Sequence, residues 1–204
     1  MNESGTGESW RLFFAAMLPP ELVDAVRRIQ SRARIELPRG VRWSQPEQAH
    51  LTLAFLADVP AEHVPRLVNA LGSFAPAQPP LEFEVKGLGA FPDMRRPGVI
   101  WAGLEGPQRD LLFRWHAELW QATAHLRLDQ SRAESRFHPH VTLGRVPGSQ
   151  PPKLQEWMAR HIDWHFGHWR LDELVLVRSI LTDQGSVYKP IARQKLGEKF
   201  TNNQ

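Results

Sequence analysis

The chain has 204 residues, of which 42% are hydrophobic, enough for one domain or two closely packed lobes and too many for a disordered protein. It contains no cysteine, which excludes a disulfide framework and a thiolate nucleophile. The formal net charge is only +3, although 20 of the 25 basic residues are arginine, so charge alone does not identify a nucleic-acid-binding protein.

The chain opens on a polar segment, residues 1–9, which carries two glutamates and no basic residue and is expected to be a mobile tail. This composition argues against a secretory signal and, with the lack of cysteine, favours a cytoplasmic location. A nearly continuous apolar run predicts a strand over residues 10–18. Pro19 and Pro20 end that strand, and apolar residues at helical spacing predict a helix from Pro20 to near residue 37.

Residues 41–44 are predicted to be a short extended piece, and residues 49–57 a strand. Pro60 is predicted to open a second helix, because apolar residues then recur at helical spacing through residue 71. A Pro/Ala-rich link follows over residues 74–80.

Clean alternation of apolar and charged residues predicts a half-exposed strand over residues 81–88. A basic, proline-bounded loop at 91–97 connects it to a partner strand at 98–104, so the two form a hairpin. The apolar spacing then predicts a long helix over residues 107–124.

A polar segment, residues 129–136, leads to a predicted strand at 137–146 and a short helix after Pro151-Pro152. Three more strands are predicted, at 166–171, 173–182 and 187–191, with a turn at 183–185 between the last two. Residues 195–204 are expected to be a frayed tail, which leaves one bilobal domain over residues 10–194.

Two of these strands carry the same short pattern ninety positions apart: His50-Leu51-Thr52-Leu53 and His140-Val141-Thr142-Leu143. Side chains alternate between the faces of a strand, so each histidine shares a face with its threonine while the apolar residues pack on the other face. The alternative is structural: two buried histidines hydrogen-bonded by the threonine hydroxyls.

The order of elements around the two patterns also repeats, as helix, signature strand, helix, strand, strand. This repetition predicts an α+β, bilobal duplication with pseudo-two-fold symmetry. Two mainly antiparallel sheets would line a central cleft, with the helices outside and the signature strands at the centre.

The paired signatures, with Pro139 before the second and Arg145 after it, resemble the two-histidine (2H) phosphoesterase superfamily. The most similar branch is that of the LigT-like RNA 2′,3′-cyclic phosphodiesterases, also called 2′–5′ RNA ligases. The resemblance extends over about residues 10–192 and includes Arg11 to Ala15, Arg42-Trp43, Phe91-Pro92, Arg96-Pro97, Trp101, Leu174 to Leu176, Arg178-Ser179, Gly185 and Tyr188.

The resemblance implies hydrolysis of terminal RNA 2′,3′-cyclic phosphates to 2′-phosphomonoesters, with reversible 2′–5′ RNA ligase activity. His50 would be the general acid and His140 the general base, although the residues alone leave open which histidine has which role. Thr52, Thr142 and Arg145 would bind the phosphate. No metal, cofactor, membrane or obligatory protein partner is implied, and the protein is expected to be a monomer acting on RNA ends or nucleotides.

Two imidazoles facing each other across a phosphate can serve as acid and base, because the ordinary histidine pKa of about 6.5 allows one to be charged and one neutral. Two other functions stay open. One is a 2H phosphodiesterase for 2′–5′ oligonucleotides or small cyclic nucleotides, and the other is an RNA-binding module without turnover.

Bases of RNA bind best on aromatic or guanidinium surfaces. The candidates in loops flanking the signatures are Arg42, Trp43, Arg95, Arg96 and Arg136, with Tyr188 as a residue at the rim. The remaining histidines have simpler interpretations. His138 is expected to be structural or exposed, and His161, His165 and His168 lack the cysteine or carboxylate pair that a metal site would need. His63, His116 and His125 are expected to face solvent or cap helices.

Overall fold

The computed structural model describes residues 8–37, 39–126, 137–149, 151–183 and 185–197. Nine strands and four α-helices lie within these ranges. None of the helices in this part of the chain has both the length and the apolar character needed to span a bilayer. The predictions for residues 1–7, 129–136, 198–204 and Gln184 fall outside the described residues.

The first half of the chain contributes five strands and two helices. They are β1 (Ser9–Met17), α1 (Pro20–Glu36), β2 (Arg42–Trp43), β3 (His50–Pro60), α2 (Val64–Phe74), β4 (Leu81–Phe91) and β5 (Val99–Glu105). The second half contributes α3 (Arg109–Ala122), β6 (His140–Arg145), α4 (Leu154–Arg160), β7 (His165–Leu171), β8 (Glu173–Thr182) and β9 (Gly185–Lys195).

The strands form one sheet in the order β7-β4-β5-β6-β3-β1-β8-β9, with β2 beside β6, and every pairing is antiparallel. The α+β, antiparallel architecture is therefore confirmed. The two predicted sheets are joined edge to edge, because β3 pairs with β6 at Leu51 and Val141.

Each lobe takes strands from both halves of the chain. The first lobe contains β3, β1, β8 and β9, counted outward from the junction, and the second contains β6, β5, β4 and β7. The hairpin β4–β5 therefore pairs with the second signature strand, and the hairpin β8–β9 lies beside β1. Neither lobe can therefore complete its sheet without the other half of the chain.

The helices cover one side of the sheet. Helix α1 contacts β7, while α2 contacts β8 and α3 contacts β3. Trp157 of α4 packs edge-on against Trp43, at 6.0 Å between ring centroids. Under this layer lies the main core, which includes Leu51, Leu53, Val141 and Leu143, all at most 1% exposed.

Several element boundaries differ from the predictions. Strand β3 continues through Pro60, and a 3-10 turn at Ala61–His63 precedes α2, so Pro60 does not open the helix. Strand β6 begins at His140 instead of residue 137, because Pro139 has no N–H for the ladder. Strand β9 extends to Lys195 and Leu196 is buried, so the predicted tail begins too early.

Candidate active site

The four signature side chains lie together on the sheet face opposite the helices. Burial alternates along the start of β3, where His50 and Thr52 are half-buried and Leu51 is buried between them. Strand β6 shows the same alternation from His140. Because the two strands pair antiparallel at Leu51 and Val141, this register sets His50 opposite Thr142 and Thr52 opposite His140. The pseudo-two-fold axis therefore passes through the centre of the site.

Both imidazoles are held in the same way by the backbone. The Nδ1 of His50 lies 2.7 Å from the carbonyl oxygen of Gln48, and that of His140 lies 2.6 Å from the carbonyl oxygen of His138. A carbonyl only accepts, so each Nδ1 carries the proton and donates it. In the neutral imidazole this leaves the Nε2 lone pair for chemistry.

The threonines do not hold the histidines. Within the described part of the chain, neither Thr52 nor Thr142 has a side-chain hydrogen bond, whereas both Nδ1 atoms bond to backbone carbonyls. The structural alternative, with each histidine satisfied by a threonine hydroxyl, is therefore wrong. Both hydroxyls can instead donate to an oxyanion bound between the histidines.

A β-bulge follows each threonine. Opposite β1, the register skips Leu53, since Ala15 pairs with Thr52 and Phe14 with Ala54. Opposite β5, the register likewise skips Leu143. A bulge shifts the alternation by one residue, so two consecutive side chains face the core.

The bulges determine what comes next on the site's face. With Leu53 and Ala54 both buried, Phe55 returns to the cleft side, and Arg145 does the same after Leu143 and Gly144. Without the second bulge, Arg145 would point into the core, because it lies three residues beyond Thr142. The guanidinium at the site thus depends on a backbone irregularity.

Each bulge is anchored by a buried side chain from a helix. The Nδ1 of His116, on α3, donates to the carbonyl oxygen of Leu53 at 2.6 Å. The amide Nε2 of Gln30, on α1, donates to the carbonyl oxygens of Leu143 at 3.0 Å and Ser44 at 2.9 Å. Gln30 is completely buried and His116 is 7% exposed. The prediction that His116 faces solvent or caps its helix is wrong, because it satisfies a backbone group that the sheet leaves free.

The electrostatics of the two histidines are similar but not identical. Burial lowers the pKa of His50, the bond to the Gln48 carbonyl opposes this, and His140 nearby lowers the pKa further. Burial also lowers the pKa of His140, against the bond to the His138 carbonyl, and the charges of His138 and Arg145 lower it again. Among the described residues, a permanent cation, Arg145, contributes to the shift of His140 and none contributes to that of His50.

Comparison with known proteins identifies the family. A family model described as LigT like Phosphoesterase matches residues 17–101 and again residues 103–188. This chain belongs to the LigT-like phosphoesterase family. The two matches correspond to the two halves of the chain, each with one His-x-Thr signature, so the internal repeat is confirmed.

Individual relatives match most of this LigT-like chain. A protein of Methanothermobacter thermautotrophicus named RNA 2′,3′-cyclic phosphodiesterase is 32% identical over 181 residues, covering 87% of this chain and 94% of the relative. One of the same name from Aquifex aeolicus is 26% identical over 188 residues, covering 91% and 95%. The crystal structure of TT0787 from Thermus thermophilus matches with a TM-score of 0.77 and 29% identity, covering 92% and 98%.

Aromatic side chains line both sides of this phosphoesterase site. Phe13 stacks on the His50 ring at 4.9 Å between centroids, and Tyr188 meets it edge-on at 5.1 Å. On the other side, Phe91 meets His140 edge-on at 4.9 Å, and Trp101 lies 6.2 Å away. The prediction that Tyr188 lies at the rim is consistent with this position, where it contacts the His50 ring.

The other predicted nucleotide-binding residues differ in whether they are exposed or pack against the core. Arg42 pairs with Arg145 across β2 and β6, and both are exposed. Trp43 is half-buried: it pairs with Gly144 and packs against Trp157, so part of its ring faces the core, and its contact with a base stays a prediction. Arg95 and Arg96 are exposed in the loop between β4 and β5. Arg136 lies outside the described residues.

The remaining histidines have ordinary partners. His165 lies 2.9 Å from a carboxylate oxygen of Glu84, and His161 Nδ1 donates to the carbonyl oxygen of Trp157. Across the residues that the structure describes, there is no group of three side chains that could hold a metal ion. His63 is half-buried and bonds to the carbonyl of Leu126, while His125 is exposed as predicted.

Four parts of the site were not predicted from the sequence: Gln30, His116, Phe91 and Trp101. One signal was present: a second apolar or small residue follows the leucine in both signatures, Ala54 in one and Gly144 in the other. Two consecutive core residues break the two-residue alternation and mark a bulge. Nothing in the sequence connects the helix side chains Gln30 and His116 to those bulges.

Proposed function

We propose that this LigT-like phosphoesterase hydrolyses RNA 2′,3′-cyclic phosphate ends to 2′-phosphomonoesters. The observation that carries the proposal is the facing pair of histidines, each with Nδ1 tied to a carbonyl and Nε2 available. The two relatives described above bear the name of this activity and match nearly their whole length. The site offers both a base and an acid for one phosphorus atom.

The reaction needs one proton removed and one delivered. His140 takes a proton from water as the water oxygen bonds to phosphorus, and His50 gives its proton to the 3′-oxygen as the P–O3′ bond breaks. The products are a 2′-phosphomonoester and a 3′-hydroxyl. His50 ends neutral and His140 protonated, and exchange with solvent restores both. Each positioned acid or base contributes about 10²- to 10⁴-fold.

The charges around the two rings support this assignment of roles. Burial lowers the pKa of His140, and the charges of His138 and Arg145 lower it further, which favours the neutral imidazole that a base must be. His50 stacks on the ring face of Phe13, a surface that favours a cation, and among the described residues no permanent cation adds to the lowering of its pKa by burial and by His140. The acid and base are therefore distinguished by what surrounds them, since the backbone geometry is the same.

Three side chains can stabilise the negative charge on the non-bridging phosphate oxygens. The hydroxyls of Thr52 and Thr142 lie on the same face as the histidines and are free of side-chain hydrogen bonds among the described residues. Arg145 adds a guanidinium that can donate two parallel hydrogen bonds to a phosphate. A 5′-hydroxyl in place of water would form a 2′–5′ linkage by the same proton transfers, which is the ligase reaction.

The test is a product analysis in the presence of EDTA. A short RNA with a 2′,3′-cyclic phosphate end is incubated with the protein, and the product is compared with 2′- and 3′-phosphate standards by phosphorus NMR. We expect the 2′-phosphate alone. Binding without product would support the RNA-binding alternative, and activity only after metal is added would contradict the two-imidazole mechanism. Parallel assays with 2′–5′ oligonucleotides and small cyclic nucleotides test the other phosphodiesterase alternatives.

A further inference from the structure

Four exposed arginines gather at one end of the cleft. Arg145 and Arg42 face each other across β6 and β2, and on its other side Arg145 pairs with Val99 of β5. Val99 pairs in turn with Phe91, where β4 ends and the loop carrying Arg95 and Arg96 begins. The N–H of Val146, just after Arg145, donates to the carbonyl oxygen of Gly98 at 2.9 Å, which joins that loop to the end of β6.

The loop is built to present its side chains in a fixed arrangement. A carboxylate oxygen of Asp93 accepts from the backbone N–H groups of Arg95 at 2.7 Å and Arg96 at 3.0 Å. The side chain of Gln155, on α4, donates to the carbonyl oxygen of Arg95 at 2.7 Å. The backbone is therefore anchored at three points while both guanidinium groups stay exposed. A pre-organised loop loses less entropy when it binds a ligand.

No carboxylate in the described part of the chain forms an ion pair with the four arginines, Arg42, Arg95, Arg96 and Arg145. Like charges directly opposite each other on neighbouring strands repel, as Arg42 and Arg145 do. Asp93 offsets part of this charge, but its carboxylate is engaged by the backbone of the loop. A chain of phosphates would relieve the repulsion.

The other end of the cleft has a different character. The position equivalent to Arg145 is Phe55, and the guanidinium of Arg11 lies over its ring at 4.7 Å. Arg178, in the same lobe, is paired with Glu8. The two ends of the cleft therefore differ in charge: the Phe55 end holds one guanidinium stacked on an aromatic ring, whereas the Arg145 end holds four exposed arginines. A substrate with several phosphates has a preferred direction in such a site.

We propose that Arg42, Arg95 and Arg96 form a subsite for the phosphates of the RNA strand upstream of the cyclic end, a surface that we call the arginine track. The proposal rests on the proposed function, because the cyclic phosphate must lie between the histidines for the strand to reach the track. The preferred substrate is then an oligonucleotide, and a mononucleotide uses only the central site.

The test compares kcat/KM for a pentanucleotide with a 2′,3′-cyclic phosphate end and for the corresponding nucleoside 2′,3′-cyclic phosphate. The variants are Arg95→Ala/Arg96→Ala and Arg42→Ala. The control, Arg66→Ala/Arg114→Ala, removes the same charge as the double variant from exposed positions on α2 and α3. For each protein, the ratio of kcat/KM on the oligonucleotide to kcat/KM on the mononucleotide is measured over a range of salt concentrations.

For the wild type we expect kcat/KM to be about tenfold or more higher for the oligonucleotide than for the mononucleotide. This ratio should fall as the salt concentration rises. For single strands, log affinity changes by about −0.7 per phosphate neutralised for each tenfold increase in salt. The Arg95/Arg96 double variant should lower the ratio about tenfold. In that variant the slope of log(kcat/KM) for the oligonucleotide against log salt concentration should be shallower by about 0.7 for each phosphate that is no longer neutralised. Arg42→Ala should have a smaller effect on both quantities. The control should leave both quantities unchanged.

Two results would overturn the arginine track: a wild-type ratio near one, or an equal fall of the ratio in the control, which would show a non-specific effect of net charge. Failure of the proposed function has a different signature, because neither substrate would then be hydrolysed. Circular dichroism of each variant verifies that the fold is intact, so that a loss of activity on both substrates through unfolding is recognised.

Discussion

The His50 half and the His140 half of the site share one backbone plan. In both, Nδ1 bonds to the carbonyl two residues earlier, a bulge follows the threonine, and a helix side chain holds the bulge carbonyl. The halves differ at the position five residues after the histidine, which is Phe55 in one and Arg145 in the other. Duplication thus preserved the geometry, while substitution made the charge unequal.

This comparison explains how a symmetric site performs an asymmetric reaction. Acid and base must differ in protonation, although the two imidazoles are held alike. The guanidinium of Arg145 beside His140 supplies that difference, since aromatic rings lie against both imidazoles. Changes that equalise the surroundings of the two histidines should therefore blur the two roles, and changes to the shared backbone plan should impair both proton transfers.

The largest effect is expected from removing either imidazole. His50→Ala and His140→Ala should each lower kcat/KM on a cyclic-phosphate RNA by about 10²- to 10⁴-fold, since each removes one proton-transfer group. The rings are only half-buried, and their partners are backbone carbonyls, so circular dichroism should show a folded protein. Unfolding of either variant, or activity within a few-fold of wild type, would contradict this assignment.

The next largest effect is expected at the position where the halves differ. Arg145→Phe would copy the Phe55 half and remove the guanidinium, which should lower kcat by about 10²- to 10³-fold, the typical cost of losing one donor to a developing oxyanion. Arg145→Lys should recover only part of this loss, because lysine keeps the charge without the planar fork. Phe55→Leu is the matched control in the other half, and a loss as large there would contradict the asymmetry.

A smaller effect is expected from the anchors of the bulges. Gln30→Met keeps the volume but removes the donor to Leu143, and should lower kcat/KM about tenfold by releasing Arg145. Leaving buried carbonyls without this donor should also cost about 1–3 kcal/mol of unfolding free energy. A double-mutant cycle in kcat/KM measures whether Gln30 acts through Arg145.

In that cycle, adding Gln30→Met to Arg145→Ala should cause little further loss of activity. His116→Phe, which releases the other bulge, serves as the control and should be additive with Arg145→Ala. Full additivity of Gln30→Met with Arg145→Ala would show that Gln30 affects the site by another route, even if the protein is destabilised as expected.

The smallest predicted effect is a shift in pH dependence. The pKa values of both histidines are lowered in the free enzyme, and kcat/KM reports free-enzyme groups. The productive form has one imidazole charged and one neutral, so kcat/KM should be greatest below the ordinary value of about pH 6.5. The bound phosphate anion favours charged imidazoles, so the maximum of kcat should lie at higher pH.

The variant Arg145→Ala sharpens the pH measurement. Removing the guanidinium takes away one of the causes that lower the pKa of His140, so one limb of the kcat/KM profile should move to higher pH. The other limb should stay in place, because Arg145 is not among the causes of the His50 shift. A wild-type maximum of kcat/KM well above pH 6.5, or no movement of either limb, would contradict the electrostatic part of the comparison.

Much of the site could be predicted from two-residue alternation alone. The shared face of each histidine and threonine follows from strand geometry, as does the burial of Leu51 and Val141. The duplication could be predicted from the repeated order of elements. What could not be predicted depends on contacts distant in sequence, such as the 113-residue separation between Gln30 and Leu143.

The packing of Trp43 could not be predicted for the same reason. Next to a basic residue and just before the first signature, Trp43 has the character of a base platform. Its face, however, is determined by pairing with Gly144, about a hundred residues later, and by the space over that glycine, where a Cβ would lie 3.0 Å from the Trp43 ring. The exchange of hairpins between lobes is likewise a property of the sheet, and local pattern carries no information on it.

Changing the leaving group separates the roles of the two histidines, whose backbone geometry is equal. In a nucleoside 2′,3′-cyclic phosphate with sulfur in place of the bridging 3′-oxygen, the leaving thiolate needs no proton from the enzyme. Our account predicts that His50→Ala, severely impaired on the oxygen substrate, cleaves the sulfur substrate nearly as fast as wild type, whereas His140→Ala is impaired on both. Equal impairment of both variants on the sulfur substrate, or rescue of His140→Ala instead, would contradict it.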